Sequence, residues 1–229
     1  MKKNIIAVAW FSAAALFAAE PVLYYDFSQP VFVQGGKYKQ PIIPASAKMT
    51  ANPQAVQLSG NEILTVPDSA DFTLSNGATF YAVVRFDEDG VTNNKADSHD
   101  MLLFKYGCFL VGRNLKNLYF NLCGKTNWCC AVLAPNVPRK AWTALAVTVK
   151  KNAEDDYTVK LFLNGKQAVA KNYTGPVKDK TSFPITIGGT KKFGKVWNMA
   201  GLLGKIMIYD CALSDSEIAE MAGKEPLLK

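Results

Sequence analysis

The chain closes with Gly201-Leu-Leu-Gly-Lys-Ile-Met-Ile-Tyr-Asp210 and then Ala212-Leu213-Ser214-Asp-Ser-Glu-Ile-Ala-Glu220, and this stretch decides the fold. Its first part has the apolar composition of a strand. In its second part, Glu217 follows Ser214 at the spacing of a capping box, which marks a helix start, and Gly223 suits a helix end. Upstream, Ile187-Gly188-Gly189 reads as the end of another strand. The order predicted is strand, loop, strand and one short capped helix.

Outward from this stretch, most of the chain consists of segments that alternate apolar and polar residues. Thr79–Phe86, Trp142–Val149 and Tyr157–Leu163 are the clearest. Asn164-Gly165 favours a type I′ hairpin turn. Residues 28–53, rich in Gly, Pro, Lys and Ser, predict a long connection with one short strand. Regularly spaced strands divided by turn residues predict an all-β antiparallel sandwich.

The N-terminus has the pattern of a signal peptide. Lys2 and Lys3 precede the apolar run Ile5–Phe17, and the small residues Ala18 and Ala19 follow. We therefore expect a signal peptide over residues 1–19 and a single domain over 20–229, located in the secreted, periplasmic or cell-surface space. An uncleaved anchor is the alternative, but the run is shorter than the roughly 20 residues of a membrane span.

Composition limits the partners. The 229 residues carry a formal net charge of +7, and 49% of them are hydrophobic, enough for a large core. Nearly all the positive charge comes from scattered lysines. Since no basic stripe forms, nucleic acid is not predicted as a partner.

Five cysteines in an exported chain suggest disulfides. A four-residue loop between strands at 109–113 and 118–122 would place Cys108 opposite Cys123, within bridging distance. We therefore predict a disulfide between Cys108 and Cys123, and a pairing of Cys211 with Cys129 or Cys130 is also possible. The alternative is that all five are small buried thiols.

Five segments, in this order, resemble LamG-like jelly rolls of the concanavalin A-like lectin/glucanase fold. The segments are Leu64–Phe72, Thr79–Phe86, Trp142–Val149 with Val159–Gly165, Ile185–Gly189, and Leu203–Asp210 with Ala212–Ser214. The resemblance implies a two-sheet antiparallel jelly-roll sandwich with one short C-terminal helix, and either ligand binding or glycosidase activity. Two departures, Lys205 and Gly35-Gly36-Lys37, replace acidic residues of the family and weaken an inherited calcium site.

The sequence does not predict an enzyme. Glycosidases of this fold carry a pattern that resembles Glu-x-Asp-x-x-Glu within a strand, and the chain lacks it. Its acidic clusters, Glu154-Asp155-Asp156 and Asp215 with Glu217 and Glu220, are typical of a solvated turn and a helix N-terminus. His99 is the sole histidine, and no nucleophile is suitably spaced from it. A glycosidase remains the least favoured hypothesis.

Two loops are candidate binding sites. Asn94, Asp97 and Asp100 could give oxygen ligands to calcium, although a solvated loop is the favoured explanation and no cofactor is required. Phe193 and Trp197 could serve as aromatic platforms, with Lys195 and Asn198 as donors. Alternatively, the two aromatic side chains cover the core.

These observations favour an exported, non-catalytic binding module for carbohydrate or a cell-envelope component. Asn127-Trp128 is a second, smaller candidate site for such a ligand. The alternative function is a structural or protein-interaction domain of the cell surface, which makes protein a possible partner. We expect no membrane span after cleavage of the signal.

Overall fold

Two antiparallel sheets face each other across one apolar core in the computed structural model of the chain. The structure describes residues 19–29, 33–38, 41–74, 76–87, 91–92, 99–125, 128–178, 180–190 and 197–229. No helix in these ranges is long and apolar enough to cross a membrane. The predicted signal peptide lies outside them, apart from Ala19.

The strands in the first half of the chain are β1 (Leu23–Asp26), β2 (Val33–Gly36), β3 (Lys48–Ala51), β4 (Gln54–Ser59), β5 (Leu64–Thr65), β6 (Ala78–Phe86), β7 (Val91–Thr92), β8 (His99–Lys105) and β9 (Phe109–Asn114). Those in the second half are β10 (Asn117–Leu122), β11 (Val132–Ala134), β12 (Thr143–Ala153), β13 (Asp156–Leu163), β14 (Lys166–Thr174), β15 (Ile185–Ile187), β16 (Trp197–Asn198) and β17 (Ala200–Tyr209). The helix α1 (Asp215–Gly223) follows, and short 3-10 turns occupy Ser69–Asp71 and Pro226–Leu228.

The larger sheet has nine strands, in the order β14-β13-β12-β6-β17-β1-β2, with β4 pairing the first part of β17 and β3 pairing β4. The smaller sheet has six strands, in the order β11-β10-β9-β8-β15-β5. A separate two-stranded ribbon joins β16 to β7. This two-sheet antiparallel architecture with one short helix confirms the predicted fold class.

Alternation along the strands builds the core. On β12, Leu145, Val147 and Val149 face the six-stranded sheet and are at most 1% exposed. On the other side of the same strand, Ala144 and Ala146 belong to a second apolar cluster beneath α1. The part of the nine-stranded sheet beneath α1 is therefore covered on both faces.

The decisive C-terminal stretch folds as predicted. It forms β17 and then α1, where the Ser214 hydroxyl accepts from the Glu217 amide and the Glu217 carboxylate accepts from the Ser214 amide. The Asn164-Gly165 hairpin is also confirmed, with positive φ at both residues, as a type I′ turn requires. Residues 28–53 differ from the prediction, because two short strands form there rather than one.

The predicted disulfide between Cys108 and Cys123 is wrong, although the strand register behind it is right. Arg113 pairs with Leu118, and the Cys123 amide donates to the Cys108 carbonyl at 2.8 Å. However, Cys108 lies in the turn between β8 and β9, where alternation fails, and both it and Phe109 enter the core. Cys123 does not belong to that cluster.

The other cysteines also remain thiols. All five fall within the described ranges and none forms a disulfide. Cys211 packs under α1, whereas Cys129 and Cys130 belong to the core between the sheets. The nine-stranded sheet separates these positions, so the suggested pairing with Cys211 is not formed.

Candidate functional site

The outer face of the six-stranded sheet carries a row of apolar and aromatic side chains. Along β8 and its following turn, Met101, Phe104 and Tyr106 point away from the core. Leu110 on β9 and Tyr119 on β10 lie beside them. We call this surface the aromatic face. At about 3.3 Å per residue, β8 gives it a length of about 20 Å.

One end of the aromatic face contains a groove of about 210 Å³. Its lining consists of Ile63, Phe104, Tyr106, Phe183, Pro184, Thr186 and Thr190. The Tyr106 and Phe183 rings meet edge to face at 4.9 Å between centroids. We call this feature the Phe104 groove.

Trp128 flanks the Phe104 groove. Its ring centroid lies 6.3 Å from that of Phe104, and the residue is 39% exposed. A bridge between Trp128 and Cys123 holds its backbone beside the end of β10. Tryptophan side chains are usually more buried than this. Trp128 therefore offers an exposed aromatic ring whose backbone is held by the edge of the sheet.

The opposite end of the face has a second aromatic group. The His99 ring lies 5.0 Å from Tyr119 and 5.3 Å from Trp197 between centroids. Asn114 fixes His99 through a contact of 2.8 Å between Nδ2 and Nε2, and Asn121 Nδ2 donates to the Tyr119 hydroxyl at 2.9 Å. These bonds hold two polar, aromatic side chains in set orientations.

Gly112 allows β8 and β9 to approach closely in the middle of the face. It stands between Tyr119 and Met101 in the sheet register. A Cβ there would come 2.5 Å from the Asp100 carbonyl oxygen, beside the bulge of β8. Gly112 and Met101 are therefore packed closely and are both buried between the two aromatic groups.

The aromatic face carries no acidic side chain among its described residues. Asp100 is the single acidic residue within the six strands, and it faces inward. Its carboxylate accepts from Arg113 Nη1 at 3.0 Å, and both side chains are at most 5% exposed. Retaining hydrolysis needs two carboxyl groups about 5–5.5 Å apart, and this face offers none.

The structure separates the predicted ligand residues. Trp197 lies half-buried on the aromatic face, packed on the cluster of Met101, Phe104 and Leu110. Asn198 is fully buried, and its amide bonds the Thr190 amide and the Gly60 carbonyl, which argues against contact with a ligand. Phe193 and Lys195 lie outside the described residues, as does Asn127.

The predicted calcium ligands are not brought together in the described part of the chain. Asn94 and Asp97 lie outside it, and Asp100 is committed to Arg113. Across the described ranges, no group of three His, Cys, Asp or Glu side chains has metal-binding geometry.

A larger cavity, of about 490 Å³, lies on the other sheet between α1 and the hairpin turn. It is bordered by Trp142, Asn164, Gly165, Lys166, Ala219, Ala222, Gly223, Glu225, Leu228 and Lys229. Glu225 accepts from Lys205 Nζ at 2.8 Å, and Lys205 also lies 3.5 Å from Asp26. Burial raises the pKa of Glu225, against the lowering effect of Lys205. Because these groups satisfy one another and fasten the C-terminal segment, we assign them to packing.

Most of the aromatic face is not predicted from the sequence. Phe104, Tyr106 and Phe183 are not among the sequence-predicted site residues, and Trp128 belongs to the second, smaller candidate site. One signal was available: β8 is apolar on both of its faces, which indicates a sheet covered or occupied on both sides. The bulge between Met101 and Leu103 makes this signal hard to recognise, because it breaks the alternation of side chains along β8.

Comparison with known proteins bears on the fold. The model of the family described as "Concanavalin A-like lectin/glucanases superfamily" matches residues 58–219, more than half of the chain. Among curated proteins, none matches.

Solved structures of similar fold include toxin binding domains. The receptor binding domain of botulinum neurotoxin type G matches with a TM-score of 0.67 at 10% identity, over 90% of this chain and 51% of that one. The binding domain of Paraclostridial Mosquitocidal Protein 1 matches with a TM-score of 0.63 at 14% identity, over 88% and 51%. This chain spans about half the length of these domains, and identities this low show the fold alone.

Proposed function

The chain belongs to the concanavalin A-like lectin/glucanase superfamily, and from that premise we propose that it is a non-catalytic carbohydrate-binding module whose ligand lies on the aromatic face. The observation that carries this proposal is the exposed Trp128 platform beside the Phe104 groove. Flat aromatic rings stack on the apolar faces of sugars, and neighbouring polar groups fix their orientation.

The geometry supports an extended oligosaccharide rather than a single sugar. Trp128, beside Phe104, and Trp197, beside His99, mark the two ends of the face. The Tyr119 hydroxyl and the His99 ring, both held by asparagines, supply polar contacts along the way. A chain laid along β8 would meet aromatic rings at both ends.

Binding is favoured over hydrolysis by the charges on the face. Its strands present no outward carboxylate in the described ranges, so general acid and nucleophile are both lacking there. One solved structure of similar fold concerns botulinum neurotoxin type C and its interaction with two ganglioside molecules, at 13% identity and a TM-score of 0.63 over 89% of this chain and 50% of that one. The proposed sugar-binding role is compatible with the ganglioside interaction named for that structure.

The proposed place of action is outside the cytoplasm. Residues 1–19 have the pattern of a signal peptide. Mass measurement of the protein recovered from its native cells tests this directly. A mass that lacks the first 18 or 19 residues supports export, and the full-length mass contradicts it.

A glycan array tests the binding function. We expect the wild-type chain to bind a defined set of oligosaccharides and Trp128→Ala to lose about tenfold or more in affinity, because a stacked indole contributes roughly 1–3 kcal/mol. Trp142→Ala, on the other sheet, is the matched control and should bind as the wild type does. Absence of binding to any glycan, or equal affinity of Trp128→Ala, contradicts the proposal.

A further inference from the structure

We infer that the carbohydrate bound on the aromatic face is acidic, carrying carboxylate or sulfate groups, and that Lys125, Lys178 and Lys180 recognise this charge. The inference rests on the proposed function, since it concerns the ligand class of the same site. We call these three exposed residues the lysine rim.

Backbone contacts place the lysine rim at the Trp128 end of the face. The segment that leads from β14 to β15 runs beside the end of β10, where Gly124 bridges Val177 and the Lys178 amide donates to the Cys123 carbonyl at 2.7 Å. Lys125 directly follows this bridge. Trp128 is bridged to the same Cys123, so the rim and the platform share one edge.

Side-chain contacts bring the rim to the border of the Phe104 groove. Lys178 Nζ lies 3.8 Å from the position that a Cβ of Gly107 would occupy, next to Tyr106 in the groove wall. Thr181 Oγ1 donates to the Tyr106 carbonyl at 2.8 Å, which ties the segment after Lys180 to the same turn. The Lys178 ammonium group therefore stands at the mouth of the groove, and Lys180 directly precedes the residue that is tied to the groove turn.

Both signs of charge occur at this end of the sandwich. The three lysines give +3, Asp179 stands between two of them in the sequence, and the acidic turn Glu154–Asp156 adjoins the same segment, where the Gly175 amide donates to the Asp155 carbonyl at 2.7 Å. Asp71, on the nearby 3-10 turn, is paired with Lys37. The aromatic face itself contributes no outward acidic group in the described strands. At the groove wall, the charged group beside Tyr106 is the Lys178 ammonium group, which would attract an anionic ligand.

An aromatic platform next to cationic side chains suits a sugar that carries negative charge. The stacked sugar ring accounts for Trp128, and a carboxylate or sulfate projecting from it would reach the ammonium groups at the rim. Exposed charge pairs of this kind each contribute modestly to affinity and weaken as salt shortens the screening length. Their sum discriminates charged from neutral forms of one sugar chain.

The test uses the full chain and an array printed with matched glycan pairs. Each uronate oligosaccharide stands beside its carboxyl-reduced form, and each sulfated oligosaccharide beside its desulfated form. We expect the charged member of at least one pair to bind about tenfold or more tightly than its neutral partner at 50 mM salt, and the difference to shrink at 500 mM. Equal binding of both members overturns the inference and leaves the proposed function standing.

Two triple variants locate the charge. The first variant combines Lys125→Gln, Lys178→Gln and Lys180→Gln. It should lose most of the preference for the charged form while retaining affinity for the neutral form. The second variant combines Lys116→Gln, Lys140→Gln and Lys166→Gln. These lysines are also exposed but lie at the opposite end of the sandwich, so this variant should preserve the preference. Loss of preference in the second variant alone, or in neither, overturns the inference. Failure of every glycan to bind contradicts the proposed function itself.

Discussion

Lys105 shows how one residue joins two distant loops to the six-stranded sheet. Its side chain is fully buried, and Nζ donates to the carbonyl oxygens of Ser69, Ala70 and Phe183 at 2.8, 3.0 and 2.9 Å. Burial lowers the pKa of Lys105, and the nearby Lys180 acts in the same direction. The lysine thus holds the 3-10 turn and the lip of the Phe104 groove in place.

We predict that Lys105→Met destabilises the fold by about 2–4 kcal/mol, because the three carbonyl oxygens around the buried ammonium group lose their donor. Urea denaturation measures the change in the free energy of unfolding. Lys116→Met, in an exposed turn, is the control and should stay within about 0.5 kcal/mol of the wild type. Equal stability of the Lys105 variant and the wild type would show that the buried ammonium group contributes nothing.

The cysteines give a second prediction at this scale. Since all five are thiols in the structure, the chain unfolded in guanidinium without reductant should react with five equivalents of a thiol reagent. Reductant should leave its melting temperature unchanged. A count of three or one would reveal disulfides and would require a rearrangement near Cys108 or Cys123.

At the scale of elements, the C-terminal segment is fastened by charge as well as by packing. Lys205 on β17 bonds Glu225, which follows α1, and lies near Asp26 on β1. Tyr81 on β6 and Tyr24 on β1 border the same cluster, and burial is the main cause that raises the pKa of each hydroxyl. Two carboxylates thus share one ammonium group in a buried place, and burial raises the pKa of Glu225.

A raised pKa means that the folded chain holds the Glu225 proton more tightly than the unfolded chain. This contribution to stability is complete below the unfolded pKa of about 4.3 and is lost as the pH rises through the folded value. We therefore predict that Glu225→Gln loses less stability than the wild type between pH 4.5 and pH 7 in denaturant titrations. Glu220→Gln, at an exposed pair with Lys224, should follow the wild-type pH curve. Identical pH curves for Glu225→Gln and the wild type would refute the assignment.

At the scale of the whole molecule, short-range sequence patterns are enough to predict the architecture. The candidate site, in contrast, is formed by pairing between strands that are distant in the sequence. The capping box at Ser214 and the positive φ values at Asn164-Gly165 depend on a few adjacent residues, so the sequence reveals them. The aromatic face forms because β8, β9, β10 and β15 pair in register. The bulge in β8 also shapes this face, and no local sequence pattern predicts it.

The loop between Gly189 and Gly201 is subject to the same limit. Its composition suggests a ligand site, and both of its described ends reach the aromatic face, at Thr190 and Trp197. Burial of Asn198 could not be read from its neighbours, because its partners are Gly60, which is remote in sequence, and Thr190. Composition suggests a region, and only tertiary contacts separate residues available to a ligand from residues engaged in packing.

The most direct test of the central claim is a titration followed by the indole N–H signals of Trp128, Trp142 and Trp197 in nitrogen-15 NMR spectra. The titrant is the oligosaccharide that binds most tightly on the array. We predict that Trp128 and Trp197 shift together along one saturable curve while Trp142, on the nine-stranded sheet, stays unchanged. A shift confined to Trp142 would place the ligand beside α1 and contradict the aromatic face as the binding site.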